Sequence, residues 1–303
     1  MPSVSYSETS SYLLCHRKHY YGYTQGLQRV TTSSSLALGS AGHRILQAFY
    51  QTILDASQDD RKRQLAAFDT AAEAALAEYE LIVTEGFEDD DRKKPLTEII
   101  ATYLENEPFV LKGWLILAVE REFVLEYGPD KRFPFVIDLI ANDPDGKTVV
   151  VDHKFVYDFY TYNDAALQPQ IPLYIGGLRA LDYKIDYGAY NMLRNRKIKV
   201  STVENSMAYL DLKPNGERVQ RTFLEQIDTA DEIMALKALG EAEVDIKMHR
   251  VANKMVCQSC SFRDLCTTEL VGGNTKLMVA TEYKIRVRKI FAEASVEAST
   301  EED

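Results

Sequence analysis

Apolar positions recur every three to four residues through the first third of the chain and then give way to alternation. Ser5 and Ser7 predict an N-cap for a helix reaching about residue 23, which carries Tyr12, Leu13, Cys15, Tyr20 and Tyr21. A polar loop at 31–35 leads into a strong helical pattern over 36–53, and an alanine-rich helix covers 61–83. The acidic stretch 85–91 and Pro95 break the chain before a helix that ends near Pro108. Residues 118–127 then alternate like a strand, and 133–141 and 148–155 are β-branched and apolar, joined by a turn of Asn, Asp, Pro and Gly at 142–147. A helix over 164–181 follows, then strands over 187–193 and 206–212 and a helix over 218–242. This order predicts an α/β fold, a mixed central sheet flanked by helices. Its parts are an N-terminal helical region (1–110), a core (111–245), a cysteine module (246–270) and a closing segment with an acidic tail (271–303).

The 303 residues are 46% hydrophobic and 27% charged, enough to bury a sizeable core. No apolar run approaches the roughly 18 residues that span a bilayer, and the Ser- and Thr-rich start lacks a basic-then-apolar leader. Both point to a cytoplasmic protein without a membrane partner. A net charge of −11 argues, taken alone, against a nucleic acid partner. Location changes that picture. The acidic residues concentrate at 85–91 and 293–303, whereas basic residues cluster at Arg194, Arg196, Lys197 and Lys199, at Lys247, His249, Arg250 and Lys254, and at Lys284, Arg286, Arg288 and Lys289. Each cluster reads equally as a DNA-binding stripe or as a mixed solvated face.

The most informative stretch is Ile137-Asp138, a turn, and then Val149-Val150-Val151-Asp152-His153-Lys154. Each Asp is expected at the end of an apolar strand, where a carboxylate is costly unless paired or bound to a metal. Alternation puts Asp152 and Lys154 on one face, and the hairpin brings Asp138 to the same face. Two converging carboxylates form a hard-oxygen site suited to Mg²⁺ or Mn²⁺, with a lysine to orient water and offset charge on a phosphate. The alternative is a pair of strand-end residues satisfied by turn amides, with Lys154 as ion-pair partner. Gln170 and Tyr174 stand four apart on a predicted helix, where they are either ordinary surface or a site pair; Pro172 between them starts or kinks that helix. His43 lies among Ile45, Leu46, Ala48 and Phe49, as a satisfied core histidine or a ligand.

In this order, His43, Asp138, Asp152-His153-Lys154 and Gln170-x-x-x-Tyr174 resemble the His, Asp, (D/E)xK and Gln-x-x-x-Tyr motifs of RecB-like nucleases in the PD-(D/E)XK superfamily. The resemblance implies a restriction-endonuclease-like sheet. It also implies metal ligation by His43, Asp138, Asp152 and the backbone carbonyl of His153, with Lys154 catalytic and Gln170 and Tyr174 supporting the site or touching DNA. Glu120 and Glu122 compete as the acidic strand residue found upstream in that family. Phe135 stands where a glycine is common and His153 where a tyrosine is common; the His153 side chain should point away from its neighbours' face.

The four cysteines are Cys15 and a C-x2-C-x5-C set, Cys257, Cys260 and Cys266. In a cytosolic chain, clustered cysteines point to metal more than to disulfides, and four thiolates satisfy Zn²⁺ or an iron–sulfur cluster. The three-plus-one split favours a cluster and leaves zinc open. With Ser5-Tyr6-Ser7, Tyr20-Tyr21 and Phe262-Arg263 around them, these cysteines resemble the arrangement of iron–sulfur nucleases of the AddB and CRISPR-associated adaptation type. That resemblance implies a structural 4Fe–4S cluster.

The expected function is a metal-dependent DNA exonuclease acting on single strands or duplex ends in recombination, repair or replication. Tyr20, Tyr21 and Tyr174 are candidates for base stacking or for core packing. The alternative is a non-catalytic DNA-binding or scaffold subunit of a helicase–nuclease or recombination complex, which the intact acidic–lysine set disfavours. A radical iron–sulfur enzyme would need a C-x3-C-x2-C spacing that the chain lacks. No Gly-x4-Gly-Lys phosphate loop occurs, so a helicase or recombination partner would be a separate chain. The pattern leaves the oligomeric state open.

Overall fold

The computed structural model describes residues 2–31, 34–199, 202–251 and 253–286. In chain order the elements are α1 (Tyr6–Leu14), α2 (His16–His19), a π-helical turn (Tyr20–Thr24), β1 (Leu27–Arg29), α3 (Ser34–Ala56), α4 (Arg61–Ala66), α5 (Phe68–Thr84), α6 (Leu96–Glu105), a 3-10 turn (Val110–Lys112), β2 (Leu115–Tyr127), β3 (Lys131–Asn142), β4 (Thr148–Val156), α7 (Tyr162–Leu167), α8 (Gln170–Ala180), β5 (Tyr187–Arg194), α9 (Val203–Ser206), β6 (Met207–Leu212), α10 (Gly216–Lys237), α11 (Glu241–Lys247), α12 (Lys254–Gln258), α13 (Arg263–Leu270), α14 (Thr275–Glu282) and β7 (Tyr283–Ile285). The chain divides into two compact units, one of Met1–Thr31, Val124–Phe135 and Asp228–Asp303, the other of Thr32–Phe123 and Val136–Ile227.

The second unit holds most of a five-stranded mixed sheet, ordered β2-β3-β4-β5-β6, flanked by helices. β3 and β4 pair antiparallel, β4 and β5 parallel, β5 and β6 antiparallel. The parallel step needs a crossover, which α7 and α8 supply. Its strands are apolar on both faces, as buried parallel strands are: Val149, Val150 and Val151 and nearly all of β5 are buried. α3 lays Leu38, Ile45, Phe49 and Ile53 into a core shared with Ile99, Tyr103, Leu139 and Val151. Each such side chain contributes about 1.5–3 kcal/mol on burial.

The first unit carries the two-stranded sheet β1–β7, in which Leu27 faces Ile285, and the helices α11 to α14. Strands of three residues carry too little alternation to be read from sequence, and neither these nor α14 was expected.

Several predicted helices are interrupted, each for a local reason. The expected helix over the N-terminal residues breaks at Cys15, which is extended at φ −169°, ψ 117°. The Arg17 N–H then goes to the His249 carbonyl instead of continuing the helical ladder. The helix expected over 61–83 parts at Ala67. The one expected over 164–181 parts at Pro169, before which Gln168 is held extended at ψ 134°. Pro172 then falls in the first turn of α8, which begins at Gln170, where a missing N–H costs no helical bond.

Among the described residues no helix is long and apolar enough to cross a membrane. Arg288, Lys289 and the acidic tail at 293–303 lie outside the described residues.

Candidate active site

β2, β3, β4, α3 and α8 bring the candidate residues together within the second unit. From the apolar pattern Asp138 and Asp152 are expected at strand ends. Both lie inside strands, because β3 and β4 run on to Asn142 and Val156. They stand one residue beyond the paired positions Leu139 and Val151, and so share a face of the sheet. Asp138 Oδ2 accepts the backbone N–H of His153 at 2.8 Å, which ties the two strands together beside the carboxylates.

α3 delivers His43 to this face. Its Nδ1 lies 3.5 Å from Asp138 Oδ2 and 3.5 Å from Glu120 Oε1. Gly42 makes the approach feasible, since a Cβ there would sit 2.1 Å from the Phe155 ring. Glu120, rather than the exposed Glu122, is the strand carboxylate at the site. Its backbone is left-handed at φ 43°, a costly conformation for a non-glycine residue. Buried positions along β2 change phase there, from Ile116 and Ala118 to Phe123 and Leu125, as an inserted bulge residue would cause.

On the other side of Asp138, Asp152 is buried with Oδ2 at 2.6 Å from Lys154 Nζ. Gln170 binds both: its Oε1 accepts from Lys154 Nζ at 2.7 Å, and its Nε2 donates to Asp152 Oδ1 at 2.5 Å. Gln170 Nε2 also reaches Tyr174 Oη at 2.8 Å. The Gln-x-x-x-Tyr pair thus supports the acidic–lysine set from one face of α8. Tyr174 is buried, as are Tyr20 and Tyr21 of the first unit, which fits the core-packing alternative for these three.

The His153 side chain points into the core, away from Asp152 and Lys154. Its ring stacks on Tyr50 with centroids 5.6 Å apart, and Nδ1 accepts from Asn191 Nδ2 at 2.8 Å. Asn191 in turn donates to Tyr103 Oη at 2.9 Å, Tyr103 and Tyr50 hydroxyls are 2.5 Å apart, and Tyr50 donates to Glu107 Oε1 at 2.6 Å. Burial, with His43 and Lys154 nearby, holds His153 well below the usual histidine range, so it is neutral.

The charges set the chemistry. Burial, and then the charges of Asp152 and Glu120, push Asp138 up to about 7, against the opposite pull of His43 and Lys154. Burial lowers His43, but its contact with Glu120 and the charges of Asp138, Glu120 and Asp152 outweigh it and the net shift is upward. Lys154 behaves likewise: burial lowers it, the Asp152 carboxylate more than compensates, and the amine stays charged. Three carboxylates crowded together repel one another unless a cation joins them. His43, Glu120 and Asp138 offer a ring nitrogen and two carboxylate oxygens within 4.8 Å of one another, the donor set of a hard divalent ion such as Mg²⁺ or Mn²⁺.

The profile of the PD-(D/E)XK nuclease superfamily matches residues 3–267, from the first turns to the last cysteine. The chain belongs to the PD-(D/E)XK nuclease superfamily. Members of the PD-(D/E)XK superfamily generally hydrolyse phosphodiester bonds of nucleic acids and typically use Mg²⁺ or Mn²⁺. No curated protein matches the sequence. Among solved structures, one described as the crystal structure of SSO0001 is similar at 10% identity, over 87% of this chain and 85% of that one, with a TM-score of 0.36. The mixed five-stranded sheet agrees with the restriction-endonuclease-like fold expected of a PD-(D/E)XK member. Phe135, which stands at the family's usual glycine position, is buried in the first unit beside Phe133.

All four cysteines of this PD-(D/E)XK chain fall in the first unit, half-buried and unpaired in disulfides. Cys15 occupies the extended break between α1 and α2; Cys257 lies in α12, Cys260 just after it and Cys266 in α13. Burial raises the Cys260 thiol, with Cys15 and Cys257 near enough to add to the shift. Around them, Arg17 pairs with Asp245 and Glu269 and lies over the rings of Tyr20 and Tyr21 at 4.7 and 4.9 Å. Arg250 Nη2 reaches Glu269 at 2.8 Å, and its Nε points at Cys266 Sγ at 3.3 Å. Burial raises the Glu269 carboxyl, but Arg17, Tyr21 and Arg250 bring it down to about 2.

Proposed function

We propose that the protein is a RecB-like, Mg²⁺- or Mn²⁺-dependent deoxyribonuclease, working as an exonuclease on single-stranded DNA or duplex ends and carrying a structural 4Fe–4S cluster. One observation carries the nuclease reading: a His–Glu–Asp donor set within 4.8 Å beside an Asp152–Lys154–Gln170 chain. Histidine and carboxylates without cysteine suit a hard ion. His43, Glu120 and Asp138 would hold it, and Asp152 adds a carboxylate from the neighbouring strand. When bound, such an ion supplies Lewis-acid polarisation of a phosphate and a more acidic water.

The chain's own residues do the rest. Lys154 is charged and fixed by two partners, so it acts as a placed cation that orients water and offsets charge building on the phosphate, not as a base. Gln170 sets the Lys154 ammonium and the Asp152 carboxylate against each other. His153 contributes its backbone N–H to Asp138, while its neutral ring anchors β4 in the core.

The cluster reading is supported by four cysteines in one unit, with Cys15 brought near Cys260 by the break in the first helix. Arg250 beside Cys266 suits a thiolate. Its role would be to staple the first helices to α12 and α13, closing a loop that spans almost the whole chain.

Oxygen-free purification and assay of end-labelled single- and double-stranded DNA test this reading. A brown protein that releases short products from one end, with Mn²⁺ or Mg²⁺ and not in EDTA, is expected. A colourless protein with one zinc ion overturns the cluster. A brown protein that binds DNA without cutting it makes the chain a scaffold subunit.

A further inference from the structure

We propose that the turn after β4 and the end of β5 form a platform for an unpaired DNA strand beside the acidic site, an inference that rests on the nuclease reading above. Arg194, Arg196, Lys197 and Lys199 stood out in the sequence as a basic cluster with no assigned task. The sheet register places the first of them. Lys154 pairs with Met192 and Val156 with Arg194 in parallel register, so Arg194 lies two residues along the sheet from the catalytic lysine's partner, about 7 Å.

The aromatics of the same turn lie against these cations. The Arg194 guanidinium lies 4.0 Å from the Phe159 ring centroid, and that of Arg196 lies 5.5 Å from the Tyr157 centroid. Arg196 is partly neutralised by Asp158 at 2.9 Å. Arg194 has no carboxylate partner among the described residues, and its buried Nε has no hydrogen-bond partner. Tyr157 is 63% exposed, and Lys197 and Lys199 are exposed. An isolated bridge between Arg196 and Lys93 adds another lysine to the edge.

A cation held over a ring without an acid is matched by a phosphate, which a guanidinium grips through two N–H groups. The exposed Tyr157, beside Arg196, offers a face on which any base can stack. Phosphates and base faces are available together only in an unpaired strand, since a duplex hides the faces of its bases. On a chain of net charge −11, this concentration of cations within reach of the acidic site is the feature that selects a polyanion there.

The test measures anisotropy of a labelled oligothymidylate and of a blunt duplex in EDTA across a salt series. It compares wild type with Arg194→Gln, Tyr157→Ala and the pair Lys197→Ala/Lys199→Ala. Hydrolysis of bis(4-nitrophenyl) phosphate with Mn²⁺ is followed in parallel, because that small ester reports the acidic site without the platform. Tyr157→Ala should weaken oligothymidylate binding by roughly five- to a hundred-fold. Each lost phosphate contact should lower the salt slope by about 0.7, with ester hydrolysis unchanged. The lysine pair is exposed, so its loss tests the idea even if Arg194→Gln fails to fold. Unchanged affinity and slope in all variants, or equal losses on duplex and single strand, overturns the platform. If the variants lose binding while wild type hydrolyses neither ester nor DNA, the nuclease reading fails and the platform stands.

Discussion

Lys154 Nζ lies 2.6 Å from Asp152 Oδ2, so the lysine of the Asp-x-Lys motif is an ion-paired cation held on the face that Asp138 shares. The pair is not self-sufficient. Gln170 grips both partners, and its amide has to point its oxygen at Lys154 and its nitrogen at Asp152. Gln170→Ala should leave the fold intact and lower turnover about 10- to 100-fold, the usual cost of removing a group that orients a metal-site residue. Gln170→Glu should do no better, because a carboxylate cannot donate to Asp152. Steady-state cleavage by the two variants checks this; full activity in Gln170→Ala would remove Gln170 from the site.

Glu120 and Glu122 separate cleanly. Glu120→Gln removes the negative charge from one of three donors within 4.8 Å, and Mn²⁺ affinity should fall on the order of 10- to 100-fold. Glu122→Gln, at an exposed position, should bind Mn²⁺ like wild type. Calorimetric titration of the metal into each variant decides between them.

Gly42→Ala should destabilise the second unit and dislodge His43. The added methyl would meet the Phe155 ring at 2.1 Å, and overpacking of this kind costs about 1–3 kcal/mol. Shrinking the ring should restore what the methyl removes, so Gly42→Ala/Phe155→Leu should unfold at a higher urea concentration than Gly42→Ala alone. No recovery would mean that the two side chains do not oppose each other.

Glu107 predicts a pH dependence. Burial holds its carboxyl above the ordinary value of 4.5, against the hydrogen bonds of Tyr50 and the backbone N–H groups of Phe109 and Leu111. An acid with a raised folded pKa binds its proton more tightly folded than unfolded. Its contribution to stability is therefore whole below about 4.5 and is lost as pH rises towards the folded value. Glu107→Gln does not titrate, so urea unfolding should show the variant gaining on wild type between pH 5 and pH 8. A constant difference across that range would contradict the assignment.

Much of the second unit was legible in the sequence because its signals are local. The apolar runs on either side of an Asn-Asp-Pro-Asp-Gly turn define β3 and β4, and the Asp-x-Lys and Gln-x-x-x-Tyr spacings follow from the periods of a strand and a helix. The choice of Glu120 over Glu122 was not legible, because it depends on a backbone irregularity in β2. The only trace is the phase change between Ala118 and Phe123. The break at Cys15 was hidden for a similar reason. Nothing in Leu-Leu-Cys-His stops a helix; the long-range bond from Arg17 to His249 does. Arg194 was seen as charge, but its seat on Phe159 required the register of two parallel strands.

Cleavage of end-labelled single-stranded DNA by wild type, Asp138→Asn and Lys154→Ala, each with Mn²⁺ and with EDTA, is the most direct test of a metal-dependent phosphodiesterase at this site. Asp138→Asn removes a donor and the carboxylate held near pH 7; Lys154→Ala removes the placed cation and leaves His43, Glu120 and Asp138. The structure predicts cleavage by wild type with Mn²⁺ only, and loss of at least about a hundredfold in either variant, as for removal of one transition-state contact. Cleavage that survives both substitutions, or persists in EDTA, would place the chemistry elsewhere on the chain.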